Sequence, residues 1–376
     1  MNLPSIEEIT TELAKVIDPE IKRPITELGM LRSVDIDDAG KVVVGIDLTT
    51  AGCPLRDTIT SDTQNAVSVL EGVTAVEVVM GVMNDEQKAE LRKTLRGGQA
   101  ERIIPFSQPG NLTRVYAVTS GKGGVGKSSM TVNLATSLAQ QGLSVGVVDA
   151  DIYGFSIPQM MGVNTPPQVV DEMIIPPIAH DVKTISIGMF MQENGPVVWR
   201  GPMLHRALEQ FFADVYWGDL DVLLIDLPPG TGDVALSVAQ LIPKSEIVLV
   251  TTPQVAAADV AERAGMMAGQ TDQRVVGIIE NMSHLEMPDG TKMDIFGTGG
   301  GETVAAQLSR TLGYEVPVLG HVPLEQELRE GGDAGNPYSG QDGDSPAQKV
   351  IRDIASQLSR RARGLSGMSL GVAPVN

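Results

Sequence analysis

The hydrophobic pattern of this chain changes near Thr113, and the two sides predict different kinds of structure. Before it, Ser5 and Glu8 have the spacing of a capping box, and Ile6, Ile9, Leu13 and Val16 follow at helical intervals. Lys41–Thr49 (KVVVGIDLT) predicts a strand, the stretch from Pro54 to about Leu70 a helix, and Val73–Met80 a second strand. Residues 1–95 therefore read as a small α+β domain. Residues 96–112, rich in glycine and proline and without a period, read as a linker. From Thr113 onward, short apolar runs alternate with helical stretches. The runs are Val115–Thr119, Val145–Asp149, Val222–Asp226, Ile247–Thr251 and Val275–Ile279. Strands that are apolar throughout are buried on both faces. Helices such as Ser129–Gln140, with Met130, Leu134 and Leu138 on one side, separate them. Residues 113–363 thus predict an α/β, doubly wound, mainly parallel sheet. Residues 364–376 have neither period and read as a disordered tail.

The first of those apolar runs leads into Gly121-x-x-x-x-Gly126-Lys127-Ser128 and then into a helix, the order of a phosphate-binding P-loop. The candidate nucleotide contacts there are Gly121, Lys122, Gly123, Gly124, Val125, Gly126, Lys127, Ser128 and Ser129. Glycines let main-chain amides turn inward onto phosphate oxygens. Lys127 reaches the outer phosphates, and the Ser128 hydroxyl is a Mg²⁺ ligand. Lys122 is open to two readings: a solvated lysine on the rim, or one that serves a phosphate of its own or a neighbouring subunit. Asp226 ends an apolar strand, as expected of the carboxylate that holds Mg²⁺ through water, and the mobile-looking LPPGTGD loop follows it. Asp149 and Asp151 also close a strand, where ligands gather in open α/β sheets. Either they cap the next helix, or Asp151 orients the attacking water while Asp149 supports the Mg²⁺ shell. The chemistry implied is slow, Mg-dependent nucleotide hydrolysis, with Lys122, Lys127 and Asp151 as candidate catalytic residues.

Composition narrows the partners. With 28 basic and 47 acidic residues the formal charge is −19, so nucleic acid and anionic membrane surfaces are repelled on average. No run of 18 apolar residues occurs and MNLPSIEEIT is no secretory leader, which makes a cytoplasmic location the expectation. The sole cysteine, Cys53, precedes Pro54. One reading puts its thiol at a helix N-terminus, where the dipole favours thiolate; the other makes it a small core residue.

GKGGVGKSS resembles the deviant phosphate loop of the MinD/ParA/nitrogenase-iron-protein ATPases. DADIYGFSIPQMMG, VVWRGPMLHRALEQFFADVYWGDLDVLLIDLPPGTGDVALSVAQ, ENMS, FGTGGGE and LGHVPLEQELREGGDAG narrow the resemblance to the Mrp/ApbC-type iron–sulfur cluster carrier ATPases. DPEI, ELGM and TTAGCP are similar to the SufT-like domain that precedes many of them. The resemblance implies an ATP-hydrolysing homodimer that carries a cluster at its interface to apo-proteins. It makes Lys122 the lysine that reaches the partner's phosphates, and Asn281 the residue that recognises adenine. One departure stands out: no C-x-x-C lies between ENMS and FGTGGGE. Clusters take four ligands, mostly thiolates, and a homodimer of this chain brings only two copies of Cys53. His284, Glu286 and Asp289 fill the replaced stretch and read as surface polar residues, leaving Cys53 as the candidate cluster ligand. Two alternatives follow, a nucleotide-switched adaptor without a cluster and a MinD/ParA-type positioning ATPase. The second needs a membrane or DNA surface. The last helix, about Ser345–Arg363, has Val350, Ile351, Ile354 and Leu358 on one face, for which docking on its own domain is the ordinary explanation.

Overall fold

A computed structural model describes residues 3–50, 55–95, 103–152, 154–190, 201–254 and 267–360. Its chain divides into two compact units. One takes Met1–Arg102, Pro167–Pro176 and Asp214–Gly218, and the other takes the rest. In the first unit, α1 (Ile6–Leu13) starts with the predicted capping box. Ser5 N donates to Glu8 Oε2 at 2.8 Å, and Glu8 N donates to Ser5 Oγ at 3.2 Å. A three-stranded sheet follows in the order β1 (Leu31–Ile36), β2 (Lys41–Leu48), β3 (Ala75–Val82), antiparallel then parallel. Val42, Val44, Ile46 and Leu48 of β2 point one way into the core, the two-residue alternation of a strand. Helices α2 (Arg56–Ser68) and α3 (Asp85–Leu95) add Ile59, Val67 and Leu91 to the same core.

The second unit opens with β4 (Arg114–Ser120), α4 (Lys127–Gln140), β5 (Val145–Asp149) and the short α5 (Ile157–Met160). The chain then makes a hairpin, β6 (Gln168–Val170) and β7 (Met173–Ile175), that belongs to the first unit. Its Val170, Met173 and Ile175 join Ile9, Leu13 and Ile46 in one core. Back in the second unit come β8 (Ile178–Ala179), β9 (Val182–Ser186), α6 (Gly201–Ala213), β10 (Val222–Asp226), α7 (Asp233–Leu241), β11 (Glu246–Thr251) and β12 (Val275–Asn281). A two-stranded ribbon, β13 (Leu285–Glu286) and β14 (Lys292–Met293), precedes α8 (Gly300–Leu312), β15 (Val318–Val322), α9 (Gln326–Asp333) and α10 (Pro346–Arg360). The main sheet runs β15-β12-β11-β4-β10-β5-β9-β8 and is parallel except for its last pair. Every residue of β5, β10 and β12 is buried, which is why their sequences are uninterruptedly apolar until the carboxylate or amide at the end.

The predicted α/β, doubly wound, mainly parallel sheet is therefore present, with a small α+β unit ahead of it. The stretch read as a linker contains a 3₁₀ turn, Pro105–Ser107, whose Phe106 is buried, and residues 96–102 of it lie outside the described set. The stretch read as a tail also lies outside the described residues. Ile351, Ile354 and Leu358 of α10 are buried in the main core, and Tyr116 donates to the Leu358 carbonyl at 2.8 Å. The apolar face of that helix is used by its own unit. No described helix is long and apolar enough to cross a membrane.

The turn from β1 to β2 depends on Gly40. It has φ +80°, and a Cβ there would sit 2.2 Å from the Gly72 carbonyl oxygen. We expect Gly40→Ala to destabilise the chain by roughly 2 kcal/mol or more, read as a lowered urea midpoint.

Candidate functional site

Strand β4 is central in the sheet, between β10 and β11, so the loop after Ser120 emerges at the middle of its C-terminal edge. Gly124 and Gly126 have φ of +78° and +80°, which turns the loop before α4. No side chain caps α4, whose N-cap is Gly126, so its first amides are left for a ligand. Below them, Lys127 Nζ lies 2.6 Å from Asp226 Oδ2, with both side chains nearly sealed from water at 7% and 1% exposed. Ser128 Oγ donates to the same oxygen at 2.6 Å, and Thr131 Oγ1 donates to Asp226 Oδ1 at 2.7 Å. Burying either charge alone is costly, and in the pair each offsets the desolvation of the other.

Asp149 sits beside Asp226 in strand register. Its carboxylate accepts hydrogen bonds from the amides of Asp151, Ser156 and Ile157 and from Ser186 Oγ, at 3.1–3.2 Å. Burial foremost, then the negative charge of Asp226, push its pKa up to about 7. Of the two readings left by the sequence, capping and loop anchoring is the one this geometry displays for Asp149. Asp151 is only partly buried, and its Oδ1 accepts from Gly154 N at 3.2 Å.

The remaining predicted residues gather around the same loop. Lys122 Nζ donates to Gln254 Oε1, and its carbonyl accepts from Ser120 Oγ at 3.0 Å. Asn281 closes β12, and its Nδ2 donates to the Val125 carbonyl at 2.9 Å. A Cβ on Gly126 would come 2.3 Å from that Nδ2, so glycine is needed there both for φ and for space. Gly123 and Gly124 face open space, and the Ser129 carbonyl accepts from Asn133 Nδ2 at 2.8 Å. The loop after β10 is tied in by Gly230 N, which donates to the Ser120 carbonyl at 2.8 Å. Sequence reasoning missed Thr131, Ser186 and Gln254. Only Thr131 had a signal, lying four residues after Lys127 and hence on the same helix face.

A second polar cluster lies in the first unit. Asp18 Oδ1 accepts from the amides of Glu20 and Ile21 at 2.9 and 2.8 Å and so shapes the DPEI turn. Gln168 of the β6–β7 hairpin donates to Glu20 Oε2 at 2.7 Å and accepts from Thr49 Oγ1 at 3.0 Å. Burial, then Asp18, push the Glu20 pKa up to about 7. Cys53, four residues after Thr49, lies outside the described residues.

Asp149 makes stability depend on pH. Its carboxyl keeps a proton to about pH 7 when folded, against a usual value of 3.8. Between those values the folded chain binds the extra proton, so stability falls as pH rises. In nucleotide-free and Mg-free protein, urea unfolding at pH 5 and pH 8 should show the parent losing on the order of 2 kcal/mol more than Asp149→Asn across this range.

Comparison with known proteins agrees with the geometry. The family described as NUBPL iron-transfer P-loop NTPase matches residues 111–359, and that described as iron-sulfur cluster assembly protein matches residues 6–78. The chain is 62% identical over 366 residues to the iron-sulfur cluster carrier protein of Mycobacterium tuberculosis, covering 97% of this chain and 96% of that one. It is 39% identical to the protein of the same name in Bacillus subtilis, over 94% of this chain and 97% of that one. A solved structure of the nucleotide-binding protein of Archaeoglobus fulgidus, in complex with ADP and with cobalt found, is similar at 36% identity and a TM-score of 0.51. It covers 67% of this chain and 91% of its own. A phosphate loop whose lysine and serine converge on a strand-end aspartate, matched over two thirds of the sequence, means that the chain belongs to the NUBPL iron-transfer P-loop NTPase family.

Proposed function

We propose that this chain is an ATP-binding and ATP-hydrolysing iron–sulfur cluster carrier or assembly factor that passes clusters to apo-proteins in the cytoplasm. The observation that carries the reading is the buried Lys127–Asp226–Ser128 cluster at the phosphate loop. Ser128 Oγ and the Asp226 carboxylate are hard oxygen donors 2.6 Å apart, a donor set that fits Mg²⁺, with Asp226 acting through water. When bound, that ion neutralises charge on the outer phosphates. The amides from Gly121 to Ser129 cradle the phosphates, and Lys127 exchanges part of its contact with Asp226 for the outer phosphate oxygens. Asp151 orients the attacking water. Hydrolysis is slow because positioning and charge stabilisation are its only means.

In the homodimer, Lys122 leaves Gln254 and reaches the phosphates bound by the partner. Asn281 reads adenine through its Oδ1, since its Nδ2 is held by Val125. The cluster is cargo. Cys53 gives one thiolate per subunit, and small thiols or a partner protein supply the rest. Support comes from the names of the mycobacterial and Bacillus relatives and from the ADP bound by the archaeal one. The single cysteine favours a second reading, a nucleotide-switched adaptor that holds no cluster. Within the described residues, the apolar face of α10 is buried in its own unit and gives the positioning-ATPase alternative no membrane surface.

Lys127→Ala should lower turnover by roughly 10³-fold and weaken ATP binding. Lys122→Ala should abolish turnover while ATP still binds, both read by phosphate release and equilibrium dialysis; normal turnover in Lys122→Ala sinks the trans-acting role. Anaerobic reconstitution with iron and sulfide should give iron bound per dimer in the parent and a clear loss in Cys53→Ala. Equal loading of the two would remove Cys53 as a cluster ligand, and loading in neither would leave the adaptor as the function.

A further inference from the structure

Three metal-ligating side chains of the second unit that the phosphate loop does not use converge: Glu280 on β12, Glu302 in the first turn of α8, and His321 on β15. Their donor atoms all lie within 4.8 Å of one another. Strand register brings two of them together, since Glu280 and His321 are Cα partners in the β12–β15 pair. His321 Nδ1 is 2.9 Å from Glu280 Oε1, and Nε2 is 3.1 Å from Glu302 Oε1.

The three are not equivalent. The Glu280 side chain is 4% exposed, while those of His321 and Glu302 are 43% and 57% exposed. Glu280 is also clamped from behind, because Gly301 N donates to its Oε2 at 2.6 Å. A clamped, buried carboxylate beside Nδ1 fixes the orientation of the ring, and Nε2 then faces outward to Glu302. Metal-binding histidines are oriented in this way by their supporting carboxylates. A surface acidic patch does not explain the arrangement: Glu280 is buried, and among the described residues neither glutamate has a Lys or Arg partner.

We propose that His321 Nε2 and the Glu302 carboxylate bind a divalent first-row transition ion (Zn²⁺, Fe²⁺ or Co²⁺), with Glu280 as the carboxylate that orients the histidine. Mixed nitrogen and oxygen donors suit these ions better than Mg²⁺ or Ca²⁺, which prefer oxygen alone. Two protein ligands leave coordination positions for water or an incoming group, so the ion is exchangeable rather than structural. The site is separate from Ser128 and Asp226 and does not depend on the cluster-carrier reading.

Cobalt serves as the probe, because its visible absorption reports its ligands. The full-length chain, free of nucleotide and Mg²⁺, is titrated with Co²⁺ alone and then with Zn²⁺ as competitor. One Co²⁺ per chain should bind, be displaced by Zn²⁺, and bind equally in a Ser128→Ala variant. His321→Ala should weaken binding by at least about 100-fold, Glu302→Gln by about 10-fold or more, and Glu280→Gln by about 10–100-fold with an altered absorption band. Glu302 is exposed, so Glu302→Gln decides the matter even where His321→Ala folds poorly. Absence of a bound ion, affinity unchanged in Glu302→Gln and His321→Ala, or loss confined to Ser128→Ala would each overturn the assignment.

Discussion

A lysine ammonium and an aspartate carboxylate, both out of reach of bulk water and 2.6 Å apart, hold the nucleotide site in working order. Each compensates the desolvation of the other, so neither can be lost without leaving an unpaired charge in the sheet. Their meeting requires the register of three strands. Asp226 ends β10 level with Val118 of β4 and Asp149 of β5, and Lys127 begins the helix that follows β4. The phosphate loop, the Ser128 hydroxyl and the loop held by Asp149 all take their positions from that alignment. A second brace acts from β12, where Asn281 grips the Val125 carbonyl and fills the space beside Gly126. The stiffness of the loop thus draws on a side chain from a different strand.

Much of this was legible in the sequence, because the features that matter there are local. Val145–Asp149 and Val222–Asp226 were predicted with the bounds they have, since a buried strand that ends in a carboxylate has an abrupt edge in its pattern. The phosphate loop was legible because glycine spacing, lysine and hydroxyl must occur in a fixed order. Strand β1 was not seen: it is an edge strand with several exposed positions, and LRSVDI has no clean alternation. Thr131 was passed over because it reads as an ordinary helical residue until Asp226 is placed beside it. Asp149 shows a different limit. Sequence puts the carboxylate at the strand end but cannot reveal the three amides and the hydroxyl that donate to it. Nor does spacing pair Glu280 with His321, which are 41 residues apart and meet only through β12–β15 pairing.

The charge pattern fits a protein that binds an anionic nucleotide without a general attraction to polyanions. The net charge is −19, yet the phosphate loop itself carries two lysines. Local positive charge set in a negative surround confines anion binding to the loop.

The β6–β7 hairpin has a consequence for how the chain can be divided. The polypeptide passes between its two units five times, at 102/103, 166/167, 176/177, 213/214 and 218/219. A cut in the glycine-rich stretch near residue 100 would not yield two intact halves. The N-terminal piece would lose Val170, Met173 and Ile175 from its interior, and the C-terminal piece would carry them as an unsheltered greasy flap. The two parts have become interwoven, so neither can be traded for a homologous segment, as beads on a string can, unless the hairpin is exchanged with it.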